Sequence, residues 1–95
     1  MKKSLKIESG VFERLASIPR AEREACWLAL SELVSSFGRP HVHSGLSIRK
    51  LTPKVFECRG TLGWRFIFDV SDDELRVRAL ATHDEIRRMI RSGTL

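Results

Sequence analysis

Residues 55–70, Val55-Phe56-Glu57-Cys58-Arg59-Gly60-Thr61-Leu62-Gly63-Trp64-Arg65-Phe66-Ile67-Phe68-Asp69-Val70, decide the fold of this chain. Two alternating runs, Lys54 to Arg59 and Trp64 to Val70, flank a glycine-bounded tetrapeptide, the pattern of a β-hairpin. Pairing Arg59 with Arg65 sets Glu57 opposite Ile67. Val55, Glu57, Arg59, Arg65 and Ile67 then share one face. Phe56 and Cys58 join Trp64, Phe66, Phe68 and Val70 on the other. That register is expected to bury the aromatic side under helices and leave the charges in solvent; a one-residue slip would reverse every side chain. Two guanidinium groups directly opposite repel. A phosphate between them, or an acid such as Glu57, would relieve the repulsion.

Charge is concentrated around the same hairpin. Residues 39–65 hold six basic side chains (Arg39, Arg49, Lys50, Lys54, Arg59 and Arg65) against one acid, Glu57. The flanking segments together are neutral, so the net charge of +5 is a local field. Such a face attracts polyanions: RNA, DNA or an acidic protein segment. A merely solvated polar face on a half-buried sheet would look the same in sequence.

Outward from the hairpin, Leu5 and Ile7 alternate with Lys6 and Glu8 and suggest a first strand. Ser9 is placed to cap a helix carrying Val11, Leu15 and Ile18, with Phe12 beside them. Pro19 stops that helix and leads into a second, Arg20 to Phe37, with Cys26, Leu30, Leu33 and Phe37 on one face and Val34 adjoining. Gly38 and Pro40 are expected to end it. Leu46 to Leu51 reads as a strand ended by Thr52-Pro53, and Glu74 to Ala81 as another after the turn Ser71-Asp72-Asp73. A short helix, His83 to Ser92, closes the chain, acidic in its first turn and basic toward its end. Ile86, Met89 and Ile90 form its small apolar stripe, and its polarity suggests a mobile element. The order is β-α-α-β-β-β-β-α, an α+β class: a two-helix layer on one face of a small antiparallel sheet, the other face partly open. Residues 1–95 are long enough for one domain with one core.

Several classes are excluded. No apolar run approaches the ~20 residues that span a bilayer, and Met1 to Glu8 lacks a signal-peptide core. Cys26 and Cys58 sit singly in apolar patterns and are expected to be reduced, buried thiols, which suits a cytoplasmic location. No metal is expected: His41 and His43 lack ligand partners at zinc spacing. No glycine-rich phosphate loop appears, so no small-molecule cofactor is expected.

His83 stands at the junction of the last strand and the final helix, where an imidazole can exchange a proton near neutral pH. A local hydrogen bond at the helix start is the plainer role. Trp27, off the main stripe of its helix, is a candidate partner contact or a cap on the edge of the core.

Taken together, Leu15-Ala16-Ser17-Ile18-Pro19, the block from His43 to Leu51, Val55 to Arg59, Gly63 to Phe68 and Thr82-His83-Asp84-Glu85 resemble the RelE/ParE toxin superfamily of bacterial toxin–antitoxin systems. The resemblance spans nearly the whole chain and implies a toxin with a cognate antitoxin, an acidic or amphipathic segment laid over the cationic face or along the helices. RelE-like members are endoribonucleases that cut mRNA, usually on the ribosome; ParE-like relatives inhibit DNA gyrase. The RelE-like branch implies Arg65, His83, Glu57 and Arg59 as catalytic positions, with Arg49, Lys50, Lys54 and Arg87 binding substrate. Many RelE-like enzymes have a tyrosine near the C-terminus, and this chain has none. Proton transfer then falls to His83, alone or with Glu57, or the chain acts by binding alone.

Overall fold

The computed structural model describes residues 3–37 and 45–95. The readings that fell on Met1-Lys2, Gly38, Arg39, Pro40, His41 and His43 lie outside them. The observed order is β1 (Ser4–Ile7), α1 (Ser9–Ser17), α2 (Arg20–Ser36), β2 (Arg49–Lys50), β3 (Val55–Arg59), β4 (Arg65–Val70), β5 (Glu74–Ala81) and α3 (His83–Ser92). The α+β class and the order agree with the sequence pattern. The five strands lie in the order β1-β5-β4-β3-β2. Every pair is antiparallel except β1 with β5, which makes the sheet mixed.

The hairpin register is the expected one, with Arg59 opposite Arg65 and Glu57 opposite Ile67. Val11, Leu15 and Ile18 of the α1 stripe, with Cys26, Leu30 and Leu33 of α2, pack on Cys58, Phe66, Phe68, Leu75 and Val77. Phe56 and Phe68 stack at 5.8 Å, and Phe37 closes edge-on against both. Arg23 of α2 donates through Nε to the Leu15 carbonyl and through Nη2 to that of Ile18. Arg23 thus caps carbonyls at the end of α1, that of Leu15 being shared with the Ile18 N–H, and fixes the helix pair around Pro19.

Three expectations change. Ser9 is the first helical residue; Glu8 takes the cap position, with no side-chain hydrogen bond. The strand expected over residues 46–51 shrinks to Arg49–Lys50, because Ser47 adopts a left-handed φ of 48° that breaks the extended run. The largest change concerns the second sheet face. Val55, Ile67 and Ala81 form a separate small core there with Ile86 of α3, flanked by Leu51, Ala79, Met89 and Leu95. The final helix therefore covers much of the face expected to stand open, and its apolar stripe anchors it.

A bulge makes this possible. Phe68 opposes Val77 and Ile67 opposes Ala79, so Arg78 has no counterpart on β4. The alternation of β5 inverts there: Leu75 and Val77 enter the main core, as does Leu80 three residues on. Ala79 and Ala81 are left opposite Ile67 and Arg65. Small side chains at those positions give α3 and the Arg65 side chain room. No helix among the described residues is long and apolar enough to cross a membrane.

Two predictions concern this core. A Cβ added at Gly60 would lie 2.8 Å from Cys26 Sγ and 3.2 Å from Phe66 Cε2. Gly60→Ala should cost about 1–3 kcal/mol in urea unfolding, partly recovered when combined with Cys26→Ala. Strict additivity of the two changes would place the strain elsewhere. Both thiols are free and buried. Burial pushes Cys58 from 9.0 up to about 12, against a lowering pull from Arg65. Burial, with Glu22 nearby, takes Cys26 from 9.0 to about 11. Folded values above the unfolded ones contribute stability that is whole below pH 9 and lost as pH rises through 11 and 12. Unfolding free energy should therefore fall above about pH 9, less steeply in Cys26→Ala.

Candidate functional site

β2, β3 and β4 and the start of α3 bring Arg49, Glu57, Arg65 and His83 into one chain of contacts. Glu57 points to the α3 side of the sheet and is only 1% exposed. Its Oε1 lies 3.0 Å from Arg49 Nη2 and 3.4 Å from Arg65 Nη1. The other oxygen, Oε2, is buried with no hydrogen-bond partner among the described residues. A carboxylate removed from water needs compensating charge, and two guanidinium groups on one oxygen supply it.

Arg65 is largely enclosed, its side chain 13% exposed. Its Nε donates to His83 Nε2 at 2.8 Å. With Nε2 accepting, a neutral imidazole carries its proton on Nδ1. His83 itself is exposed. Thr82 before it caps α3 in a reciprocal box: the Thr82 hydroxyl accepts from Glu85 N–H, and Glu85 Oε1 accepts from Thr82 N–H at 2.8 Å. That backbone hydrogen bond, together with Arg14, holds the Glu85 carboxyl below its usual range against partial burial.

Arg59, half-buried beside Arg65, has no ion pair or side-chain hydrogen bond among the described residues. Its cationic edge is available to an incoming anion. Arg49 is 62% exposed. Arg49 of β2 and Arg65 of β4 meet on Glu57 of the strand between them, and Arg59 lies opposite Arg65 in the register. Glu57 was expected in solvent and lies beneath the arginines instead, because α3 covers its face. It cannot reach a substrate hydroxyl as placed.

The remaining expected contacts divide. Lys50 opposes Phe56 and so points to the aromatic face, its Nζ 5.9 Å from that ring. Lys54 is exposed at the other end of β3 from Arg59, about 16 Å away along the strand. Neither joins the Arg49–Glu57–Arg65–His83 cluster. Arg87 lies one turn after His83 on α3, exposed and 3.8 Å from Asp84. Arg14 was missed: nothing in the periodicity of α1 shows that its side chain reaches Glu85. Among the described residues no group of three or more His, Cys, Asp or Glu is arranged to hold a metal ion.

No family model and no curated protein matches the chain. Solved structures do match. The archaeal RelE–RelB complex from Pyrococcus horikoshii OT3 aligns with a TM-score of 0.68 at 22% identity, over 86% of this chain and 96% of that one. The RelB–RelE antitoxin–toxin complex from Methanococcus jannaschii gives 0.67 at 16%, over 87% and 95%. A mutant of the Escherichia coli toxin RelE in the free state gives 0.67 at 15%, over the full length of both chains. The resemblance carried by the sequence blocks is therefore matched by the fold.

Glu57→Ala would leave Arg65 enclosed without its counter-charge and should cost about 3–5 kcal/mol in urea unfolding. Glu57→Gln, which keeps the acceptor oxygen, should cost less. A Glu57→Ala protein as stable as the parent would show that the carboxylate does not hold this cluster.

Proposed function

We propose that the chain is the toxin of a toxin–antitoxin pair and an endoribonuclease that cleaves mRNA, acting on the ribosome. One observation carries this reading: the 2.8 Å contact between Arg65 Nε and the exposed His83 Nε2, with Arg59 and Arg49 beside it. A group able to carry a proton is thus in direct contact with a cation able to bind phosphate, and Arg59 lies opposite that cation in the register.

An RNA phosphate meeting this cluster takes Arg59 and the N–H groups of Arg65 as donors. Arg65 then releases Nε2 of His83, whose lone pair accepts the proton of the ribose 2′-OH. The 2′-oxygen attacks phosphorus, and negative charge on the phosphate oxygens is stabilised by both guanidinium groups. His83 returns the proton to the departing 5′-oxygen, leaving a 2′,3′-cyclic phosphate and a free 5′-OH. These steps require no metal ion. His83 works here without a tyrosine and without Glu57, which holds Arg65 and Arg49 in place. Positioning by the ribosome supplies much of the rate, so cleavage of free RNA is weak. Substrate DNA lacks the nucleophile and is inert.

The partner is an antitoxin, in keeping with the antitoxin–toxin complexes that share the fold. An acidic stretch of it fits the cationic face that carries Arg49 and Arg59. An apolar stretch fits the outer face of the helix pair, where Phe12, Trp27 and Leu28 are exposed and the two rings lie 5.8 Å apart.

In a translation extract, His83→Ala and Arg65→Ala should each reduce mRNA cleavage by about 10²-fold or more. Undiminished cleavage by Arg65→Ala would remove it from the mechanism. Induction of the chain alone in bacteria should produce new RNA 5′ ends with normal supercoiling. Inhibited supercoiling with intact transcripts would instead select the gyrase-inhibitor reading.

A further inference from the structure

Arg14 lies on α1, across the sheet from α3, yet its side chain touches both elements that hold the candidate site. Its guanidinium carbon sits 4.6 Å above the Trp64 ring, the residue before Arg65. Its Nη2 donates to Glu85 Oε1 at 2.8 Å. That same oxygen accepts the Thr82 N–H, the bond that fixes the first turn of α3 immediately beside His83. Among the described residues, this is the one hydrogen-bonded ion pair joining the α1–α2 layer to α3. The two apolar clusters on either side of the sheet share no residue. Ile86 and Met89 seat the body of α3, but its first turn is set by the cap and by this clamp.

We propose that Arg14 is a positioning residue, holding Trp64 and Glu85 at once and thereby fixing the separation of Arg65 from His83. A planar guanidinium can stack by its face and donate by its edge; an ammonium group offers no such pair of surfaces. Arg14→Lys therefore keeps the charge and loses the double contact. Glu85→Gln keeps the capping box, which glutamine also closes, and loses the charge that holds Arg14. The consequence for catalysis rests on His83 being the proton carrier.

The full chain is compared as wild type, Arg14→Lys and Glu85→Gln by long-range nitrogen–proton NMR of the imidazoles, beside thermal unfolding. Wild type should show His83 held in the Nδ1–H form. Both variants should remain folded and show a mixture of ring tautomers. On RNA, kcat should fall about tenfold with KM within about twofold, short of the hundredfold that ~1 Å of misplacement can cost. An unchanged His83 signature in both folded variants overturns the proposal. If the wild type cuts no RNA, the nuclease reading fails, and the imidazole spectra still decide the role of Arg14.

Discussion

A carboxylate shut away from water beneath two guanidinium groups organises the cationic side of this molecule. Arg59 and Arg65 face each other across β3 and β4, an arrangement that repulsion alone would splay apart. Glu57, two residues back along β3, draws Arg65 inward and tethers Arg49 from β2 to the same oxygen. Arg59 keeps its charge unspent. Among the described arginines of this face, one buried acid holds Arg49 and Arg65 and leaves Arg59 without an ion pair. The oxygen Oε2, without a hydrogen-bond partner among the described residues, is the cost of this arrangement.

Burial of that acid depends in turn on α3. Its single fully buried residue, Ile86, packs into the small core formed by Val55, Ile67 and Ala81. That core exists because the bulge at Arg78 turns Ala79 and Ala81 toward it. Seating α3 there also delivers His83 to Arg65. The enclosed salt bridge and the exposed imidazole are consequences of one packing event. The helix is held by Ile86 and Met89, by its cap and by Arg14.

Much of this was legible beforehand, and for a definite reason. Period-two alternation reports which residues share a strand face, so the Arg59–Arg65 and Glu57–Ile67 pairings could be read directly. The α3 bounds were read from the acidic first turn and the basic residues toward its end; the structure adds the Thr82 cap and Gly93, which adopts a left-handed φ of 72°. Alternation says nothing about what later covers a face. Glu57 was therefore placed in solvent, and Lys50 and Lys54 were grouped with the arginines by charge when strand geometry sends them elsewhere.

By itself the sequence determined the order of elements, the hairpin register and the location of excess positive charge, because these follow from local propensity and short-range pairing. Only the tertiary structure decided which charges are neutralised inside, which imidazole nitrogen meets Arg65, and how Arg14 spans the sheet. Those outcomes depend on helices distant in sequence closing over opposite faces of the same strands, and no local pattern records that closure.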